Sequence, residues 1–155
     1  MKKALKIVAI VFVVGFVVIQ FIRPDLTNPP INQTDTLETN LQVPENVQVI
    51  LSRSCKDCHS NETKYPLYSK IQPSAWFMKN HIDEGRAQLN FSDWKNLPPT
   101  RQKRKLSQIC EQVQSKEMPL PSYLWIHWDA KMSDEDIKTL CDWTEAEKAK
   151  LVETK

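Results

Sequence analysis

An all-helical domain behind an N-terminal membrane helix is the fold class this sequence predicts, and three observations predict it. Apolar residues recur at helical spacing in several segments, while no stretch shows the strict alternation of a half-buried strand. Glycine is scarce (2) and proline frequent (10), which suits helices joined by stiff loops. Residues 7–22, IVAIVFVVGFVVIQFI, are apolar except for Gln20. A chain of 155 residues has room for one compact domain beyond such a segment.

The N-terminal run would span about 24 Å as a helix, somewhat short of a hydrocarbon core of about 30 Å. Ala4 and Leu5 lengthen it, and Lys6 can snorkel to the headgroups. Lys2, Lys3 and Lys6 precede the run and only Arg23 follows it, so the N-terminus is expected to stay cytoplasmic and the rest to be exported. A cleaved signal peptide is the competing reading, but Phe21-Ile22-Arg23-Pro24 offers no A-x-A site. Residues 1–23 are therefore expected to be an uncleaved signal-anchor. Residues 24–43 mix Pro, Asn and Thr with few large apolar groups and are expected to form a flexible tether of roughly 25 Å. Residues 44–155 are expected to hold the folded domain.

Within that domain Pro44-Glu45-Asn46 opens a helix whose Val47, Ile50 and Leu51 share one face and which runs into Cys55. Residues 73–81 read as a second helix, with Phe77/His81 and Met78/Ile82 in i,i+4 pairs and Gly85 as its stop. Ser92 is expected to cap a short turn through Trp94. Pro98-Pro99-Thr100 starts a longer helix striped by Leu106, Ile109, Cys110 and Val113. Ser133-x-x-Asp136 marks the last helix start, followed by Ile137, Leu140 and Cys141 on one face. The 21 basic and 19 acidic groups are unevenly placed, since the four basic groups of the first 23 residues leave 17 against 19, a net of −2. That near balance gives no whole-domain case for nucleic-acid binding.

Cys55-Lys56-Asp57-Cys58-His59 is the motif with chemistry in it. Two thiols separated by two residues match the spacing of the two vinyl groups of a porphyrin, and the next residue places an imidazole under the iron. Cys55 and Cys58 would form the thioethers of one covalent haem c, with His59 as proximal ligand. A thioredoxin-like redox pair would want a βαβ pattern, which is absent. Zinc would want four ligands, and Cys110 and Cys141 are isolated from any second close pair. An export signal ahead of the motif agrees with covalent haem attachment outside the cytoplasm.

The sequence resembles the small haem-binding-domain proteins of the cytochrome c type. The resemblance covers residues 44–143 and rests on Ser54-Cys55-Lys56-Asp57-Cys58-His59-Ser60-Asn61, Thr63-Lys64-Tyr65-Pro66-Leu67-Tyr68 and Ile71-Gln72-Pro73. It continues through His81-Ile82-Asp83-Glu84-Gly85-Arg86, Leu89-Asn90-Phe91-Ser92, Glu117-Met118-Pro119-Leu120-Pro121-Ser122-Tyr123 and the helix holding Trp143. It implies a small cytochrome c-like helical domain that is exported and carries haem c. In c-type cytochromes the distal ligand is often a methionine on a loop before the final helix, which nominates Met118, with His81 as the alternative. Prolines 119 and 121 would hold that loop extended.

Other residues carry a functional and a plain reading side by side. His81 could approach the haem or be a helix-face histidine satisfied by a backbone carbonyl, and His127 reads as packing. Tyr65, Tyr68, Trp76, Trp94 and Tyr123 could line the haem edge or be ordinary core aromatics. The run Arg101-Gln102-Lys103-Arg104-Lys105 reads as a solvated face or as a docking patch for an acidic redox partner. Cys110 and Cys141 could form a disulfide in an oxidising compartment or remain two buried thiols. The function expected is one-electron transfer in the periplasm by a non-enzymatic carrier on the cytoplasmic membrane, exchanging electrons with redox partner proteins. The alternative is a haem-based peroxidase or gas-ligand sensor with a displaceable sixth ligand.

Overall fold

The computed structural model describes residues 1–153, so the last two positions of the expected domain lie outside the described residues. Among the described residues every regular element is helical. The eight α-helices are α1 (Lys2–Ile19), α2 (Leu37–Asn40), α3 (Glu45–Ser54), α4 (Lys56–His59), α5 (Ser74–Gln88), α6 (Pro99–Gln114), α7 (Pro121–Leu124) and α8 (Asp134–Glu153). Short 3-10 turns at Gln33–Asp35, Leu67–Lys70, Phe91–Asn96 and Trp128–Ala130 join them.

The core forms where three amphipathic faces meet. Val47, Ile50 and Leu51 come from α3, Leu106, Ile109 and Val113 from α6, and Leu140 and Trp143 from α8. Phe91 and Trp94 close it from the 3-10 turn between α5 and α6. Helices α6 and α8 make the most extensive helix pairing. The Cys110–Cys141 disulfide crosses that pairing with a Cα–Cα distance of 4.8 Å, so the bridged alternative is the one the structure adopts. Helix α8 opens on the expected capping box: Ser133 Oγ accepts from the Asp136 N–H at 3.0 Å, and Asp136 Oδ2 accepts from the Ser133 N–H at 2.9 Å. The same Asp136 pairs with Arg53 of α3 at 2.9 Å, fixing α8 against α3.

Three expectations are corrected, and the membrane-spanning helix finds no support in the structure. Helix α1 starts among the lysines at Lys2 and ends before Gln20, whose side-chain amide turns back to the Phe16 carbonyl. The apolar part left inside it, residues 7–19, spans only about 20 Å, and no described helix is long and apolar enough to cross a membrane. Residues 24–43 are not a free coil. Leu37 is fully buried in the core, Thr36 and Asn32 cap short helical turns, and Glu38 pairs with Lys56 at 2.8 Å. One well-placed leucine and local caps hold a segment whose composition alone reads as too polar to fold.

Gly85 does not stop α5, which continues to Gln88; its role is close approach to α4. Asn90, not Ser92, caps the following turn, accepting from the Ser92 N–H.

Candidate functional site

Helix α3 ends at Cys55, whose backbone (φ −128°, ψ −44°) breaks the helix and starts the single turn α4. The Cys55 carbonyl accepts from the Cys58 and His59 N–H groups, which folds the motif into a compact loop. α5 packs directly on that loop. A Cβ at Gly85 would lie 2.7 Å from the Cys58 carbonyl oxygen, so only glycine permits this approach. Arg86, the next residue, donates to the Ser60 carbonyl at 2.8 Å and to Thr63 Oγ1 at 2.9 Å, tying down the chain after His59.

The close approach sets the histidine. His59 Nδ1 lies 3.0 Å from the Gly85 carbonyl and 2.9 Å from the Leu89 carbonyl. Both partners are acceptors only, so Nδ1 carries the proton and Nε2 is left with its lone pair. Burial, with Lys105 nearby, holds the imidazole pKa below its ordinary value against the two hydrogen bonds, so the ring is neutral. A neutral imidazole with Nδ1–H anchored on backbone carbonyls is the usual state of a metal-ligating histidine.

The thiols of Cys55 and Cys58 are both free. Burial pushes the Cys55 thiol up to about 12, with Cys58 adding to it, and burial and then Asp57 push Cys58 to about 11. Burial thus favours the protonated thiols, unlike the low-pKa thiolate of a redox pair. Among the described residues no group of three or more His, Cys, Asp or Glu is placed to hold a metal ion.

The motif loop separates two cavities. The larger, about 330 Å³, has Cys55, His59, Phe91, Ile109, Met118 and Met132 in its walls, with Lys105 and Gln112 among the polar groups. The smaller, about 90 Å³, lies on the Cys58 side and includes His81, Tyr123 and His127. Met118 thus shares a cavity with His59, whereas His81 does not. Its Nδ1 lies 2.7 Å from the Phe77 carbonyl, one turn earlier, which is the plain reading of that residue. Between them the two cavities offer two thiols, and the larger adds one oriented imidazole and one thioether, a donor set that fits a covalently held porphyrin.

Other sequence candidates separate cleanly. Tyr68 and Tyr123 line the smaller cavity, Trp94 is core, and Trp76 donates to the Ile22 carbonyl at 3.0 Å. Lys105 reaches the larger cavity, while Arg101, Arg104 and Lys105 surround a neighbouring hollow with Arg86. The basic run therefore borders the site and is not just a solvated face. Sequence reasoning missed Asp57, one of the two residues between the cysteines. Its carbonyl accepts from Thr63 Oγ1 at 2.7 Å, and its carboxylate accepts from the Tyr123 hydroxyl at 2.8 Å. Tyr123 stacks on His127 with ring centres 4.3 Å apart, and His127 Nε2 bonds the Tyr68 hydroxyl. Sequence reasoning named Tyr68 and Tyr123 singly, but no spacing rule links residues 57, 68, 123 and 127 into one group.

A family model described as a haem-binding domain matches residues 14–146. No curated protein and no solved structure matches the chain.

Proposed function

Since the chain belongs to the haem-binding domain family, we propose that it carries a single haem c on Cys55 and Cys58 and serves as a membrane-tethered, one-electron carrier. The observation that carries this reading is the anchored His59, with Nδ1–H on two carbonyls and Nε2 free, in a cavity that also holds Cys55 and Met118. When bound, the group supplies a reversible one-electron couple. The protein supplies the rest. Cys55 and Cys58 would hold the porphyrin through thioethers, and His59 and Met118 would ligate its iron. A thioether in that position keeps the couple more oxidising than a second histidine would. Phe91, Ile109, Val113 and Met132 keep water from the cleft.

The N-terminal segment is exposed and apolar throughout residues 7–18. In water such a surface needs covering, and we read residues 7–22 as the cytoplasmic-membrane anchor. Its shortness is accommodated by snorkelling lysines and local bilayer thinning. The lysine bias then places the domain in the periplasm, where redox partner proteins meet it.

The test is maturation with a cytochrome c assembly system. Haem should survive denaturing electrophoresis and give a pyridine haemochrome spectrum of the two-thioether type. The oxidised protein should show the weak near-infrared band of iron–methionine ligation, lost in Met118→Ala and kept in His81→Ala. A protein that incorporates zinc but no haem, or whose band responds only to His81→Ala, contradicts the assignment.

A further inference from the structure

The globular domain carries its own contact with the bilayer, beyond the anchor helix. This inference rests on the reading of α1 as a membrane anchor.

The first observation is how α1 joins the domain. Gln72, which is buried, receives the Gln20 side-chain amide on its carbonyl at 3.3 Å and donates its own N–H to Gln20 Oε1 at 2.9 Å. Its side-chain amide donates to the Ile22 carbonyl at 2.9 Å, and the Trp76 indole N–H donates to the same oxygen at 3.0 Å. Four hydrogen bonds within three residues of the end of α1 leave no slack between anchor and domain. Whatever surface surrounds this junction is held at the depth where α1 leaves the lipid.

The second observation is what that surface presents. Leu67 (77% exposed), Ile71 and Trp76 flank the junction on one strip. Trp125 (83%), Ile126 and Trp128 (80%) form a second strip after α7. The hydrogen bond between the Tyr68 hydroxyl and His127 Nε2 joins the two strips, and Phe77 and Ile126 sit together in the wall of the smaller cavity. Scattered exposed apolar residues are ordinary on a soluble protein, whereas two such strips linked by these contacts need a cover.

The third observation is residue type. Of the five tryptophans, Trp94 and Trp143 are buried in the core, whereas Trp76, Trp125 and Trp128 are exposed and belong to these two strips. Indole suits the boundary between headgroups and acyl chains, since its ring is apolar and its N–H can stay hydrated.

We propose that this face lies on the phospholipid surface, with Trp125 and Trp128 inserted at the headgroup–acyl boundary beside the exit of α1. The partner is the lipid interface itself. In that pose the cavity on the Cys58 side, walled in part by Phe77 and Ile126, opens next to the bilayer.

The chain has no tryptophan before residue 76, so indole fluorescence reports the domain and not the anchor. The full haem-loaded chain is reconstituted into phosphatidylcholine vesicles, plain or brominated on the acyl chains just below the headgroups. Haem quenching is common to both lipids and cancels in their ratio. Emission is expected to fall by about half in brominated lipid, as indoles at the interface require. Trp125→Phe/Trp128→Phe should remove most of that difference while the protein still sediments with vesicles. Sedimentation with equal emission in both lipids overturns the proposal, leaves the anchor intact and assigns the face to a protein partner. Quenching unchanged in the double variant also overturns it, because Trp76 beside α1 would then be the sole contact. A chain that stays in the supernatant overturns anchor and docking face together.

Discussion

Two cysteine pairs divide the work of this molecule. Cys55 and Cys58 are three residues apart on one turn, yet both are free thiols facing different cavities. Cys110 and Cys141 are 31 residues apart and are bonded across the α6–α8 pairing. The tight loop between Cys55 and Cys58 is shaped by Cys55 carbonyl hydrogen bonds and by Gly85 pressed on its back. It leaves the two partly buried thiols in the walls of cavities. The distant pair is brought together because each cysteine sits on the apolar stripe of its helix. Closeness in sequence made a binding turn; closeness in the fold made a cross-link.

The comparison predicts a double dissociation. Cys55→Ala or Cys58→Ala should reduce or abolish haem retained on a denaturing gel, while the thermal transition of the haem-free protein stays near that of wild-type apoprotein. Conversely, Cys110→Ala/Cys141→Ala should lower stability by about 3–4 kcal/mol, from loop-closure entropy, measured by urea unfolding, with haem staining kept at a permissive temperature. Dithiothreitol should destabilise the wild type but not that double variant. If the Cys110→Ala/Cys141→Ala protein is as stable as wild type in oxidising buffer, the structural half of the comparison is broken.

Gly85→Ala separates loop shape from thiol chemistry. The new methyl group meets the Cys58 carbonyl and pushes α5 away from α4, so stability should fall by about 1–3 kcal/mol, as overpacking does. Haem loading should fall with it although every ligand remains, because the Gly85 carbonyl that orients His59 is displaced. Normal loading and an unchanged denaturation midpoint would show that the close approach is not needed.

Asp136→Asn gives the smallest effect and acts where α8 meets α3. Burial raises the Asp136 pKa, but Ser133 and Arg53 outweigh it and hold the carboxyl below its ordinary value. A carboxyl depressed in the folded state stabilises fully above its unfolded pKa near 4, and that stability is lost as pH falls through the folded value. The substitution should therefore destabilise by about 1 kcal/mol at neutral pH and converge with wild type in strong acid, with haem content unaffected. A difference that persists undiminished at low pH would trace the effect to packing instead.

By itself the sequence determined the all-helical class and the starts of α3, α6 and α8, and it named the residue types of the candidate site. Those features depend on neighbours within a turn or two: a proline at a first turn, a capping box, an apolar stripe, or two thiols and an imidazole at porphyrin spacing. Tertiary structure alone decided the rest. Asp57, Tyr68, Tyr123 and His127 come from four separate segments, and no local rule relates them. Gly85 reads in sequence as a helix stop because glycine usually ends helices; only the backbone of Cys58 facing it shows that it is there to be small. Residues 24–43 read as a tether because their composition is polar, yet Leu37 finds a place in a core built by helices that follow it in the chain. The orientation of His59 belongs to the same class. The sequence names the imidazole, but the two carbonyls that fix its proton come from α5 and its end, and a helix must pack before its backbone can direct a ligand.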